Sequence, residues 1–253
     1  MRRPLVMGNW KMNGSLLANK VLIEALESTA DDCKGIDVAV CPSFVYLPQV
    51  TDLCSANSIH VGAQNVSDQD KGAFTGEVSA DMLRDLEIGF VLVGHSERRA
   101  IYGEGDALVA AKVNKALEKG LVPVLCVGET LEERQSGEMQ AVIETQVRAV
   151  LDSASIQAFA QIVIAYEPVW AIGTGETATP EQAQEVHAFI RNLLAGQDAK
   201  IASRTTILYG GSVNAGNAAE LFAMADVDGG LVGGASLKAA DFSAICQAAQ
   251  ASV

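Results

Sequence analysis

Glu167 closes the apolar run Ile162-Val163-Ile164-Ala165-Tyr166, immediately before Pro168 and the segment Val169-Trp170-Ala171-Ile172-Gly173-Thr174-Gly175-Glu176-Thr177-Ala178. A carboxylate at a strand end, followed by a glycine-bearing segment able to cover it, suits proton abstraction in a site that excludes water. Desolvation penalises the charged carboxylate, so Glu167 is expected to be a stronger base than in water. Taken alone, it reads equally well as a solvated strand-end carboxylate. His95, in Gly94-His95-Ser96-Glu97, lies where a strand passes into a helix that Ser96 or a neighbour could cap. The positive end of a helix disfavours imidazolium, so His95 is expected to act as a neutral hydrogen-bond donor, with His60 and His187 structural. Asn9 and Lys11 offer an amide and a charge to a carbonyl or phosphate oxygen that gains negative charge, although an isolated Lys at a strand end more often reaches for solvent. Gly210-Gly211-Ser212 and Gly233-Gly234 follow two consecutive strands near the C-terminus, where backbone N–H groups can cradle a phosphate.

These groups need a frame that brings them to one place. Short apolar, β-branched runs recur at Leu5 to Trp10, Val38 to Cys41, Ile59 to Ala63, Phe90 to Val93, Val122 to Val127, Ile162 to Tyr166, Thr206 to Tyr209 and Gly230 to Val232. Helical periodicity lies between them: Val109, Val113, Ala116 and Leu117 share one face, and Ile143, Val147, Val150 and Leu151 another. Thr179-Pro180-Glu181-Gln182 carries the signature of a helix start, with Thr179 as cap and Gln182 completing a capping box. Eight such units in 253 residues predict a closed (β/α)8 barrel, eight parallel strands with outer helices, as a single domain over 1–253. Alternation along the strands then assigns Leu5, Met7, Asn9 and Lys11 to the interior, together with Val91, Val93 and His95, and Val163, Ala165 and Glu167. Three apolar runs thereby each end in a polar group at the C-terminal rim.

The formal charge of −13 and the absence of a basic cluster argue against nucleic acid and anionic membrane surfaces as partners. No apolar run has the length of a signal-peptide core or a membrane span, so a soluble cytoplasmic protein is expected. Five cysteines without a C-x-x-C pair predict reduced thiols, and three histidines without H-E-x-x-H make a protein-ligated zinc site unexpected. Gly173-Thr174-Gly175-Glu176-Thr177-Ala178 matches G-x-G-x-x-A formally. It lies too far from both the preceding strand and the following helix for a dinucleotide turn, and a lid over 168–178 is the better reading. The connection 64–77 is long for such a fold, with Phe74 near its tip as a candidate interaction site.

Read together, the segments around Asn9-Trp10-Lys11, Gly94-His95-Ser96-Glu97, Ala165-Tyr166-Glu167-Pro168, Tyr209-Gly210-Gly211-Ser212 and Val232-Gly233-Gly234 closely resemble the triosephosphate isomerase family, over essentially the whole chain. The resemblance implies a TIM barrel that interconverts dihydroxyacetone phosphate and D-glyceraldehyde 3-phosphate through an enediolate, without metal or cofactor. It implies Glu167 as base, His95 as acid and electrophile, and Lys11 with Asn9 as electrostatic partners. Gly173, Ser212, Gly233 and Gly234 match phosphate-binding positions. Ser96 and Glu97 match supporting positions, and Cys126 with Glu129 a structural segment. A homodimer is implied, with Thr75 beside the neighbour's site. Glu176 departs from the pattern, since many relatives carry Lys there. Two rival readings are a barrel aldolase forming a Schiff base at Lys11 and a phosphometabolite-binding protein without turnover.

Overall fold

The computed structural model describes residues 2–173 and 176–252. All eight apolar runs form strands: β1 (Leu5–Asn9), β2 (Asp37–Cys41), β3 (Ile59–Ala63), β4 (Phe90–Val93), β5 (Val122–Val127), β6 (Val163–Tyr166), β7 (Ile207–Tyr209) and β8 (Gly229–Val232). They pair in chain order, every pair is parallel, and β8 closes onto β1 with Leu5 opposite Gly229. Helices in the intervening segments cover the outside, giving the (β/α)8 TIM barrel.

Two apolar cores follow from strand alternation. Leu5, Met7, Leu92, Val124, Val163, Ala165, Leu208 and Leu231 fill the barrel, while Val6, Val40, Val91, Val93, Ile164 and Tyr166 pack against the helices. The faces of β1 and β6 agree with the alternation expected from sequence. That of β4 does not: Phe90 and Leu92 associate with the interior, and Val91 and Val93 face outward. His95 nevertheless joins the active face because Gly94, at φ +71°, takes a left-handed conformation that resets the alternation. Lys11 likewise lies beyond the last residue of β1, and its own φ of +53° breaks the strand parity first assigned to it.

The helix Pro180–Ala195 begins as its sequence requires, with Thr179 and Gln182 forming a reciprocal capping box and Pro180 in the first turn. Its stripe of Val186, Ile190 and Leu194 is buried, with Phe189 and Leu193 packed at the margin. His187 on the same helix is a core residue. Its Nδ1 lies 3.1 Å from the Asp226 carbonyl oxygen, and burial pushes its pKa down to about 4. All five cysteines are free and buried. Among the described residues no helix is long and apolar enough to cross a membrane.

Candidate active site

A pocket of about 440 Å³ opens at the C-terminal ends of the strands, lined among others by Asn9, Lys11, His95, Glu167, Gly173, Ser212, Gly233 and Gly234. All eight residues expected to catalyse or to hold phosphate therefore meet in one cavity. Thr174 and Gly175 of the expected lid lie outside the described residues.

Glu167 follows β6 directly, anchored by its N–H to the Val127 carbonyl at 2.7 Å, and its side chain is buried. Gly128 is required beside it: a Cβ there would run into the Glu167 backbone. Oε1 lies 2.9 Å from His95 Nε2, and Oε2 accepts the Ser96 backbone N–H at 3.0 Å. The Ser96 hydroxyl donates to Oε1 at 3.3 Å, so Ser96, expected only as support, touches the candidate base directly. Burial pushes the Glu167 pKa up, but the charge and hydrogen bond of His95, with the Ser96 N–H, outweigh it and hold the carboxyl below the ordinary glutamate value. The expectation of a base strengthened by desolvation is reversed in this arrangement, because these partners stabilise the anion. Cys126, in the barrel interior, has its thiol held protonated by burial and by the charge of Glu167.

His95 is itself the N-cap of the helix Ser96–Tyr102. Its Nδ1 accepts the Glu97 backbone N–H at 3.2 Å, which assigns the ring proton to Nε2, facing Glu167. Burial opposes a second proton, but the Glu167 charge and hydrogen bond favour one and raise the net pKa, a direction opposite to the neutral ring expected from the helix N-terminus alone, because the facing carboxylate could not be read from the local sequence. Replacing Glu167 by Gln should therefore lower the His95 pKa, since burial and the Lys11 charge would then be opposed only by the charge of Glu97. Ring NMR of the two proteins across the acid range measures this; an unchanged or higher value in the variant would contradict the assignment.

Lys11 Nζ lies 2.6 Å from Glu97 Oε1, and the Lys11 side chain passes close to Gly233, where a Cβ would stand 3.6 Å from Lys11 Cε. It thus lies along the pocket wall between the His95 helix and β8 instead of extending into solvent. Asn9 is buried, and its Oδ1 accepts the Lys11 N–H at 3.0 Å, which leaves its amide NH2 as the donor for a ligand. Beyond β8, Gly233 leads into a single 3-10 turn, Gly234–Leu237, closed by the Ser236 hydroxyl on the Gly233 carbonyl at 2.7 Å. Backbone N–H groups at the start of such a turn can receive an anion.

The first part of the expected lid is anchored. Val169–Ala171 form a 3-10 turn, and Trp170 Nε1 donates to Glu129 Oε1 at 2.9 Å. The same oxygen accepts from Tyr166 at 3.0 Å and pairs with Arg134 at 3.1 Å. Arg134 also stacks over the Trp170 ring at 5.3 Å. Glu129, expected as structural, is therefore the post to which the lid's first turn is fastened. Arg134 was not singled out from sequence; the available signal was that a fully buried carboxylate five residues upstream demands a cation. Gly173 is separated from β6 by this turn, and the next helix starts only at Pro180, in agreement with the rejection of a dinucleotide loop.

Phe74 and Thr75 lie exposed in the connection after β3, away from the pocket lining.

The family model described as triosephosphate isomerase matches residues 4–249. The chain is 58% identical to the triosephosphate isomerase of Thiobacillus denitrificans over 249 residues, covering 98% of this chain and 99% of that protein. It is 55% identical to the enzyme of the same name from Nitrosococcus oceani, with 98% and 100% coverage. It is 56% identical to that of Cupriavidus necator, with 97% and 99% coverage.

Proposed function

The chain belongs to the triosephosphate isomerase family and is an isomerase that interconverts triose phosphates; from that premise we propose how its own residues do so. Glu167 takes the proton from the carbon next to the carbonyl of dihydroxyacetone phosphate. His95 donates its Nε2 proton to the carbonyl oxygen and takes up the proton of the neighbouring hydroxyl, so the ring ends as it began, and the enediolate collapses to D-glyceraldehyde 3-phosphate as Glu167 returns its proton to the carbon that carried the carbonyl. The observation that carries this reading is the convergence of Glu167, His95, Lys11 and Asn9 in one pocket with the glycine cradles after β7 and β8. Proton donors placed where charge develops stabilise the transition state more than the ground state, while the Lys11 cation holds the substrate phosphate in both.

The direct contact between Glu167 and His95 has a further role in this reading. A substrate seated between them separates the pair, removes the His95 hydrogen bond that helps hold the Glu167 pKa down, and lets desolvation strengthen the base. The lid residues 168–178 close over the enediolate and keep water from promoting loss of its phosphate. The Schiff-base alternative is disfavoured because Lys11 Nζ is already engaged by Glu97 at 2.6 Å along the pocket wall. A binding protein would need no carboxylate positioned opposite the phosphate cradle. Turnover of glyceraldehyde 3-phosphate through a coupled reductase, unaffected by borohydride, is expected. Inactivity, or trapping of a covalent adduct, would overturn the reading.

We also propose that residues 1–253 act as one domain in a cytoplasmic homodimer serving glycolysis and gluconeogenesis. Met12, Val45, Phe74, and Ile101 with Tyr102 are exposed apolar side chains on the connections that follow β1, β2, β3 and β4 in turn. Adjacent strands put these connections side by side, and an apolar surface of this kind is what a second copy would cover. In this arrangement Thr75 lies beside the neighbour's pocket. Light scattering should give twice the 26.5 kDa of one chain; a monomer with full activity would contradict it.

A further inference from the structure

Lys11 carries its charge into the pocket from a backbone conformation that an L-residue rarely adopts, with φ at +53°. Such a conformation persists only where its surroundings fix it, and both of its peptide groups are held. Its N–H donates to Asn9 Oδ1 at 3.0 Å. Its carbonyl oxygen accepts from Gln64 Nε2 at 2.8 Å and from the Ser43 hydroxyl at 2.9 Å. Gln64 Nε2 also donates to the Cys41 carbonyl at 2.9 Å, so one amide nitrogen ties the turn after β1 to the last residue of β2. Two carbonyl acceptors on the same nitrogen leave no ambiguity in the orientation of the amide.

We infer that Gln64 is a positioning residue for Lys11, holding the left-handed turn that aims the ammonium at the bound phosphotriose. Gln64 stands immediately after β3, outside the pocket lining, and acts only through the Lys11 backbone. The inference rests on the proposed electrostatic role of Lys11. Its neighbour Asn65 is fixed independently, by Lys112 Nζ at 2.9 Å within the buried Lys112–Glu104 pair, so the segment presenting Gln64 starts from a rigid base. Without the Gln64 donors the turn relaxes toward ordinary φ values, and the ammonium moves away from the pocket wall.

The test is a double-mutant cycle on kcat/KM with Gln64→Met, Lys11→Met and their combination, each checked for folding by thermal melting. Gln64→Met alone should raise KM about tenfold and change kcat less, the pattern of lost binding common to ground and transition states. In the Lys11→Met background it should have no further effect, because the group it positions is gone. Full activity in Gln64→Met, or an equal loss in both backgrounds, would overturn the inference. Should Gln64→Met fail to fold, Ser43→Ala, which removes the other donor to the same carbonyl, enters the same cycle under the same criteria. An inactive intact protein, or an indifferent Lys11→Met, would instead overturn the proposed chemistry on which the inference rests.

Discussion

Glu167→Gln should lower kcat by about three to four orders of magnitude while the protein stays folded. General base catalysis is worth roughly 10²–10⁴-fold, and the Glu97 carboxylate, 3.7 Å from His95 Nδ1, lies on the ring edge away from Glu167 and is paired with Lys11, so it does not replace it. Among the described residues lining the pocket, the other carboxylate is Asp241, on the helix that follows the β8 turn. The fold should survive because the amide has the same shape, and its oxygen can still accept the Ser96 N–H that now meets Oε2 at 3.0 Å. Steady-state kinetics with a thermal melt decide the matter. A loss smaller than tenfold in a folded variant would remove Glu167 from the role of base.

Lys11→Met should lower kcat/KM by about 10³-fold. A full charge about 4 Å from an anionic oxygen, at an effective dielectric near 20, contributes about 4 kcal/mol, and 1.4 kcal/mol is one factor of ten. The net charge of −13 does not cancel this, since carboxylates farther than about 8 Å are largely screened at physiological salt. The variant leaves Glu97 without its partner at 2.6 Å, but Glu97 is more than one-third exposed and remains hydrated, so stability should change little. Raising the ionic strength should reduce the difference between the two proteins only weakly, because the pair of charges is in contact. A variant within fivefold of the intact protein would show that the backbone cradle alone binds the phosphate.

The strands were legible almost residue by residue because runs such as Val122 to Val127 are apolar on both faces, as a parallel sheet covered by helices requires. Thr179-Pro180-Glu181-Gln182 was legible because capping is local chemistry. The inner face of β4 was misassigned because alternation was extrapolated through Gly94, and only its left-handed φ shows that the register resets before His95. Among the candidate site residues, those at strand ends are readable from the sequence, and the structure brings them into one pocket. The contacts that tune them were not: the Ser96 N–H on Glu167, Arg134 behind Glu129, and Gln64 on the Lys11 carbonyl join residues 71, 5 and 53 positions apart. The two distant contacts exist only once the barrel is closed, and the third needs the turn after β5. The direction of the Glu167 pKa was missed for the same reason, since burial is readable from an apolar run but the His95 partner at 2.9 Å is not.

In this mechanism a proton, carried by Glu167, moves between two substrate carbons. Isomerisation in deuterium oxide, with the product examined by mass spectrometry and NMR, tests it most directly. A carboxylic acid formed at Glu167 can exchange with solvent before it returns its proton, so the intact protein should yield product with carbon-bound deuterium. Glu167→Gln should do so only at a rate reduced in step with its turnover. Protium retained at every turnover by the intact protein, and equally when the lid is disrupted by substitution of Trp170, would mean direct hydride transfer and would contradict this mechanism.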